Sequence, residues 1–284
     1  MGGGGIRNLV VIAVAACFAA AATTAAAAPG LRIAARPPLL SALAAGAASE
    51  VSTNWAGYAA AAPRKKPFAS VTGRWVQPAA TCPGKDAHTF SAFWVGLGGF
   101  SRRSFAVEQT GTQANCFLSQ PTYSAWYELF PAPPVNLKLV VRPGDLMSAT
   151  VSVDRRTVLI RLKNVTANKL FTKRLRMKRP DLSSAEWIAE APTGCDYLGN
   201  CTTLPLTNFG TVDFSRGSAT VKGHKGRIAD PRWPPTAIEL HGDLDDPRQP
   251  SLAGANAIPG ALGADGGSFR VSWQELAPPP PPTG

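Results

Sequence analysis

Histidine is scarce in this chain of 284 residues: only His88, His224 and His241 occur, far apart, with no HExxH or other metal-ligand spacing. The sequence also lacks a GxSxG elbow, an Asp-Thr-Gly or Asp-Ser-Gly triplet and a phosphate-binding loop. Zinc hydrolysis, the nucleophile-elbow serine and the aspartic pair therefore have no candidate residues. No metal and no cofactor is expected. If the chain is a hydrolase, carboxylates and amides must do the chemistry.

Acids are few as well, with 18 Asp and Glu against 29 Lys and Arg and a net charge of +11. Much of the excess lies in "KRLRMKR" (Lys173–Arg179) and "GHKGR" (Gly223–Arg227). The first reading of such runs is solvated loops; the sharper one is attraction to an anionic surface or substrate. The longer run has no interleaved aromatics, so no nucleic-acid partner is expected.

Only one apolar run is long, Leu9 to Ala22, and it is short for a spanning helix. Arg7 precedes it and "TTAAAAP" follows it, which is the pattern of a secretory signal peptide over residues 1–28, cleaved within Ala25–Ala28. The expected mature protein is secreted, soluble, monomeric and free of the membrane. Residues 29–49 are Ala/Pro-rich and without acids through Ser49, and read as a linker or short propeptide. Residues 50–277 read as one domain, and 278–284 as an extended proline tail. Cys17 leaves with the signal. The other four, Cys82, Cys116, Cys195 and Cys201, are an even number in an exported chain, which favours two disulfides. Pairing Cys195 with Cys201 closes a small loop and leaves Cys82 with Cys116; other pairings stay open. That use of every cysteine speaks against a catalytic thiol.

Short segments rich in β-branched and aromatic residues, broken by Gly and Pro, fill the domain. Examples are Ala69–Pro78, Phe90–Gly99, Ser104–Gln113, Thr122–Pro131, Asn136–Asp145, Leu146–Asp154, Thr157–Thr166, Gly210–Ala219 and Ser268–Leu276. Their number and spacing predict an all-β fold, a β-sandwich or barrel. One stretch conflicts: "DLSSAEWIAEA" (Asp181–Ala191) has a capping box, Ser183 to Glu186, and local propensity reads it as a helix. Asn164 and Asn200 stand in N-x-T sequons.

Four stretches in order resemble the glutamic peptidases of the eqolisin family: "STNWAGY" (Ser52–Tyr58), "FWVGLGG" (Phe93–Gly99), "VEQTGTQ…YSAWYELFP" (Val107–Pro131) and "AEWIAEAP" (Ala185–Pro192). The resemblance implies a sandwich of two antiparallel sheets of the concanavalin or lectin-like kind, and it makes Asp181–Ala191 a strand. It implies a secreted, metal-independent endopeptidase acting on protein or peptide substrates. Matched motif to motif, the catalytic pair is Gln109 and Glu190, and Trp55, Trp94, Trp126 and Glu128 fall at positions lining the substrate cleft.

The residue types suit that role. One carboxylate can act as general base toward water and then as general acid toward the leaving amine. An amide is a neutral N–H donor that does not titrate, so it can stabilise an oxyanion at low pH. A glutamate base, with a reference pKa of about 4.3, suits acidic to mildly acidic conditions, and burial beside Trp and Ile would raise that value. Alternation puts Val107, Gln109 and Gly111 on one strand face, Ser124, Trp126 and Glu128 on another, and Glu186, Ile188 and Glu190 on a third. Glu186 is read as a supporting or partly exposed acid. Two departures stand out: where relatives often carry acids, this chain has Gly98 and Ser124. The competing expectation is a non-catalytic lectin-like sandwich that binds carbohydrate through the same tryptophans. Arg32 and Arg36 suggest that a propeptide could lie in an acidic cleft.

Overall fold

Alternating apolar residues make the strands, and two sheets bury them against each other. The computed structural model describes residues 32–34, 40–42 and 49–276, except 64, 65, 102, 197 and 244–251; for 32–34 and 40–42 only the backbone is considered. The signal segment and the proline tail lie outside the described residues. In chain order the strands are β1 (Arg32–Ala34), β2 (Leu40–Ala42), β3 (Ser49–Ser52), β4 (Trp55–Ala61), β5 (Phe68–Val76), β6 (Ala92–Leu97) and β7 (Val107–Phe117). Then come β8 (Gln120–Phe130), β9 (Val135–Leu137), β10 (Leu146–Asp154), β11 (Thr157–Asn164), β12 (Lys169–Arg176) and β13 (Ser184–Glu190). The rest are β14 (Thr193–Cys195), β15 (Cys201–Thr203), β16 (Thr211–Val221), β17 (His224–Arg227), β18 (Pro235–Leu240), β19 (Ala255–Pro259) and β20 (Phe269–Glu275).

A front sheet runs β18–β4–β13–β6–β7–β8–β9, all antiparallel. A back sheet runs β12–β11–β10–β5–β16–β20–β19, also antiparallel. Strands β5, β10, β11 and β16 pack behind β6, β7 and β13, so the chain is an all-β sandwich. The short strands β3 and β19 both meet β18, where the two layers join.

Every second residue of the front sheet points into the sandwich. Ala56, Tyr58, Phe93, Val95, Ala125, Trp187 and Ala189 do so, and meet Val71, Trp75, Met147, Val151, Ile160 and Phe214 from the back sheet. Burying each such large side chain contributes roughly 1.5–3 kcal/mol. Two indoles also bond across the layers: Trp187 Nε1 donates to the Thr72 carbonyl at 2.8 Å, and Trp75 Nε1 to Thr112 Oγ1 at 2.9 Å. Disulfides join Cys82 to Cys116 and Cys195 to Cys201.

Among the described residues there is no helix. Ser184–Glu190 is the central strand β13, held on both sides by β4 and β6. Its helical capping signal loses to two ladders of backbone hydrogen bonds and to seven consecutive buried positions. Two expectations need correction. Asn136–Asp145 is strand only to Leu137; the turn that "VRPGD" signals in the sequence is present, with the Asp145 carboxylate accepting from the Arg142 N–H at 2.8 Å. The first four residues of the basic run, Lys173–Arg176, lie on β12 rather than in a loop, and Met177–Arg179 lie beyond the strand. Asn164 is buried and its amide donates to Asp145 and the Val140 carbonyl, so that sequon is closed to a glycan in the folded chain.

Candidate active site

The outward face of the front sheet is unusual in being buried and in mixing acids, amides and indoles. Strand registers arrange it in rows. Glu190 on β13 stands opposite Trp55 on β4 and Ala92 on β6, and the row continues through Gln113 on β7 to Ser124 on β8. The next row is Gly57, Ile188, Trp94, Gly111 and Trp126. The third is Ala59, Glu186, Gly96, Gln109 and Glu128. The period of two along each strand thus brings Gln109, Glu128, Glu186, Glu190 and the three tryptophans to one face.

Glycine makes room for the largest of these side chains. A Cβ at Gly111 would overlap the Phe93 carbonyl oxygen and Trp94 Cβ, and one at Gly96 would stand 2.8 Å from Trp94 Cζ3. With both absent, the Trp94 ring lies across the sheet and its Nε1 donates to Glu190 Oε2 at 2.7 Å. Trp55 meets Trp94 edge to face, ring centroids 4.9 Å apart, in a favoured aromatic arrangement. The Asn54 amide stands 3.5 Å from Glu190 Oε1. Asn54 belongs to the "NWAG" stretch but was not singled out from sequence; its place one residue before Trp55 was the available signal.

Gln109 is wholly buried, and its Nε2 donates to Glu128 Oε2 at 2.9 Å. Its Oε1 has no hydrogen-bond partner among the described residues. Glu190, Glu128, Trp126, Gln113, Ala92, Pro134 and Pro192 line a crevice of about 10 Å³, room for about one water. Gln109 does not line it, but reaches it through Glu128. Ser124 Oγ and Asn115 Nδ2 both approach Gln113 Oε1, at 3.0 and 3.3 Å, which extends the polar row. The indole N–H groups of Trp55 and Trp126 are buried without an acceptor among the described residues. Leaving such a donor unpaired costs about 1–3 kcal/mol, so a ligand that brings carbonyl oxygens is rewarded there.

A different environment surrounds Glu186. It is fully buried rather than partly exposed, with neither carboxyl oxygen in hydrogen-bond geometry among the described residues. Burial pushes its pKa well above the usual value; the nearby Ser184 hydroxyl offsets part of this, while Asp181 and Glu108 add to it. Glu108, on the inward face, is pushed up to about 9, chiefly by burial. The Asp181 backbone N–H donates to Glu108 Oε1 at 3.1 Å, and the Asp181 carboxyl is bonded to the Ser104 hydroxyl. Gly98 sits against this cluster at φ +79°, where an added Cβ would stand 2.7 Å from Asp181 Cβ and the Ala106 carbonyl oxygen. Backbone and space both require glycine there, so no acid fits.

The family model described as the Peptidase A4 family matches residues 53–237. No curated protein matches the sequence. Among solved structures, a scytalido-glutamic peptidase with a peptide-based transition-state analogue is similar at 21% identity and TM-score 0.62, covering 78% of this chain and 98% of that one. SCP-B, an eqolisin in complex with the tripeptide Ala-Ile-His, is similar at 20% identity and TM-score 0.59, covering 79% and 98%. The aspergilloglutamic peptidase from Aspergillus niger is similar at 22% identity and TM-score 0.51, covering 65% and 99%.

Proposed function

The chain belongs to the peptidase A4 family and is a peptide-bond hydrolase, and from that premise we propose that Glu190 and Gln109 form the catalytic pair of a secreted glutamic endopeptidase working in acidic to mildly acidic conditions. Membership in a hydrolase family sets aside the lectin-like alternative. The observation that carries the assignment is the shared face: Glu190 and Glu128 line one water-sized crevice, and Gln109 is bound to Glu128 beneath it.

In this reading a water in the crevice lies against Glu190. Glu190 takes a proton from it as the water oxygen attacks the carbonyl carbon of the scissile bond. The electron pair moves to the carbonyl oxygen, and the Gln109 amide turns its N–H toward that oxyanion. Glu190 then gives the proton to the amide nitrogen, the C–N bond breaks, and the carboxylate is restored. Trp94 Nε1 orients Glu190, and Glu128 orients Gln109. The indole donors of Trp55 and Trp126 meet backbone carbonyls of the peptide.

Substrate needs more room than the crevice offers. Two registers bear on this: β1 pairs with β14 just after Glu190, and β2 pairs with β3 just before Trp55. Residues 29–49 therefore read as a propeptide whose strands dock beside Glu190 and Trp55, and whose removal opens the cleft. Mass spectrometry of active secreted material tests this; immediate full activity in a form that retains Pro29 overturns it.

The dyad is tested by hydrolysis of a denatured protein at pH 3–6, with chelator present throughout. Activity in the unaltered chain and its loss in both Gln109→Ala and Glu190→Gln are expected. Full activity in either variant sinks the mechanism.

A further inference from the structure

The basic run lies away from the cleft and has its own architecture. Strand β12 carries it along the edge of the back sheet. Among the described residues β12 pairs with β11 and with no other strand, so one row of its backbone N–H and C=O groups is open. A groove of about 740 Å³ lies at one end, between β12 and residues 135–142. Its floor is Tyr127 stacked on Phe171, centroids 5.9 Å apart and planes 15° apart, with Lys173 Nζ 5.5 Å above the tyrosine ring. A second groove of about 590 Å³ lies at the other end, where Met177, Lys178 and Arg179 meet Phe105, Leu129 and Pro131. Neither groove is lined by an acid. Lys169, Lys173, Arg176, Lys178 and Arg179 have no ion-pair partner among the described residues.

Apolar exposure gathers at the same place. Of the eight large hydrophobics exposed in the described residues, Phe105, Val135, Val140 and Leu170 line these two grooves. A lysine on an edge strand also keeps like edges apart. That explains one charge, but not the two apolar grooves beside a belt of one sign. Clustered apolar exposure rimmed by charge marks an interaction site.

We infer that the β12 belt is a recruitment site for extended, acidic, apolar-rich segments of the protein substrate, separate from the catalytic cleft. Three features select a polypeptide. An open strand edge pairs with another extended backbone. The grooves take apolar side chains. The cations take Asp and Glu between them. An anionic polysaccharide would use the charges and leave the strand edge and the grooves unused; a second copy of this edge would be repelled by its own charge. The belt ends beside Leu129, which faces the other side of β8 from Glu128, so the belt and the crevice are separate surfaces. The inference rests on the reading of the chain as a protein-cleaving enzyme, but binding measures it without catalysis.

The probe is a labelled peptide alternating Glu with Val and Tyr, titrated by fluorescence anisotropy at pH 5.5 against the full chain carrying Glu190→Gln. Binding that weakens with salt is expected, with a loss of about tenfold or more on adding Lys173→Glu and Arg176→Glu. The milder pair Lys178→Gln and Arg179→Gln should weaken it in the same direction, and both pairs should leave kcat/KM for a short uncharged peptide within about twofold in the chain with Glu190 intact. Equal binding of the Lys-for-Glu peptide, unchanged affinity in both variant pairs, or binding of dextran sulfate but not of the acidic peptide would each overturn the inference. A parallel loss of short-peptide cleavage in both pairs would overturn it too, by making the belt structural. If the unaltered chain cleaves no peptide at all, the proposed function fails while the binding result still judges the belt.

Discussion

Glu190 and Glu186 stand four residues apart on one strand and one face, yet their surroundings are opposite. Glu190 receives the Trp94 indole N–H at 2.7 Å, faces the Asn54 amide and lines a crevice with Glu128. Glu186 has no hydrogen bond to either oxygen among the described residues and has the acids Asp181 and Glu108 as neighbours. Donors aimed at a carboxylate keep it usable as a base; burial without donors keeps a carboxyl neutral. One region of the face aims side-chain donors at its acid, and two rows away burial holds the acid's pKa up. A pattern of two acids at i and i+4 therefore says little about their roles until their neighbours are known.

The comparison is broken most directly by exchanging each acid for its amide. Glu190→Gln should lower kcat by on the order of 10³ or more while leaving the fold intact, since the amide keeps the shape but loses the base. Glu186→Gln should leave kcat within about threefold and instead raise stability at neutral pH. Hydrolysis rates and thermal unfolding of both variants decide; a large kcat loss in Glu186→Gln would make the two acids partners and end the contrast.

The second test is stability against pH. Glu108, with a folded pKa of about 9, and Glu186, with one raised well above the usual value, both hold protons in the folded chain that the unfolded chain releases near 4.5. The folded state binds more protons above pH 4.5, so stability is full below that value and falls as pH rises toward 9. The slope is at most about 1.4 kcal/mol per pH unit for each group. Unfolding midpoints measured from pH 4 to 9 should fall steadily, and Glu108→Gln with Glu186→Gln should flatten the curve. A midpoint that rises toward neutral pH would refute the neutral-carboxyl reading.

Smaller effects sharpen the same contrast. Trp94→Phe removes the indole donor from Glu190 but keeps the aromatic contact with Trp55, so a loss of about tenfold in kcat, with little change in KM, is expected. Ser124→Asp places a negative charge in the Glu190 row and should move the Glu190-dependent limb of the pH–rate profile upward, by less than about one unit. A profile left unmoved would show that the row does not couple Ser124 to Glu190.

Much of this protein was legible in its sequence because strand periodicity is local. Alternation at two residues placed Gln109, Gly111, Trp126, Glu128, Ile188 and Glu190 on their faces before any sheet was seen. The separation of Gln109 from Glu108 is one such case: adjacent residues on a strand must face opposite ways, and here one meets the outer face and the other the buried acid cluster. The four cysteines likewise limited the pairings to three.

Tertiary structure decided what depends on neighbours distant in the chain. It made Asp181–Ala191 run through a strand, because ladders from β4 and β6 outweigh a local helix cap. It buried Glu186 beneath packing that no period reveals, and it bonded Gln109 to Glu128 across a strand pair. It gathered a basic run, an open edge and two apolar grooves into one belt, drawing on residues from Phe105 to Arg179. Local spacing fixes which way a side chain points; only the folded chain fixes what it meets, and the chemistry of a carboxyl depends on what it meets.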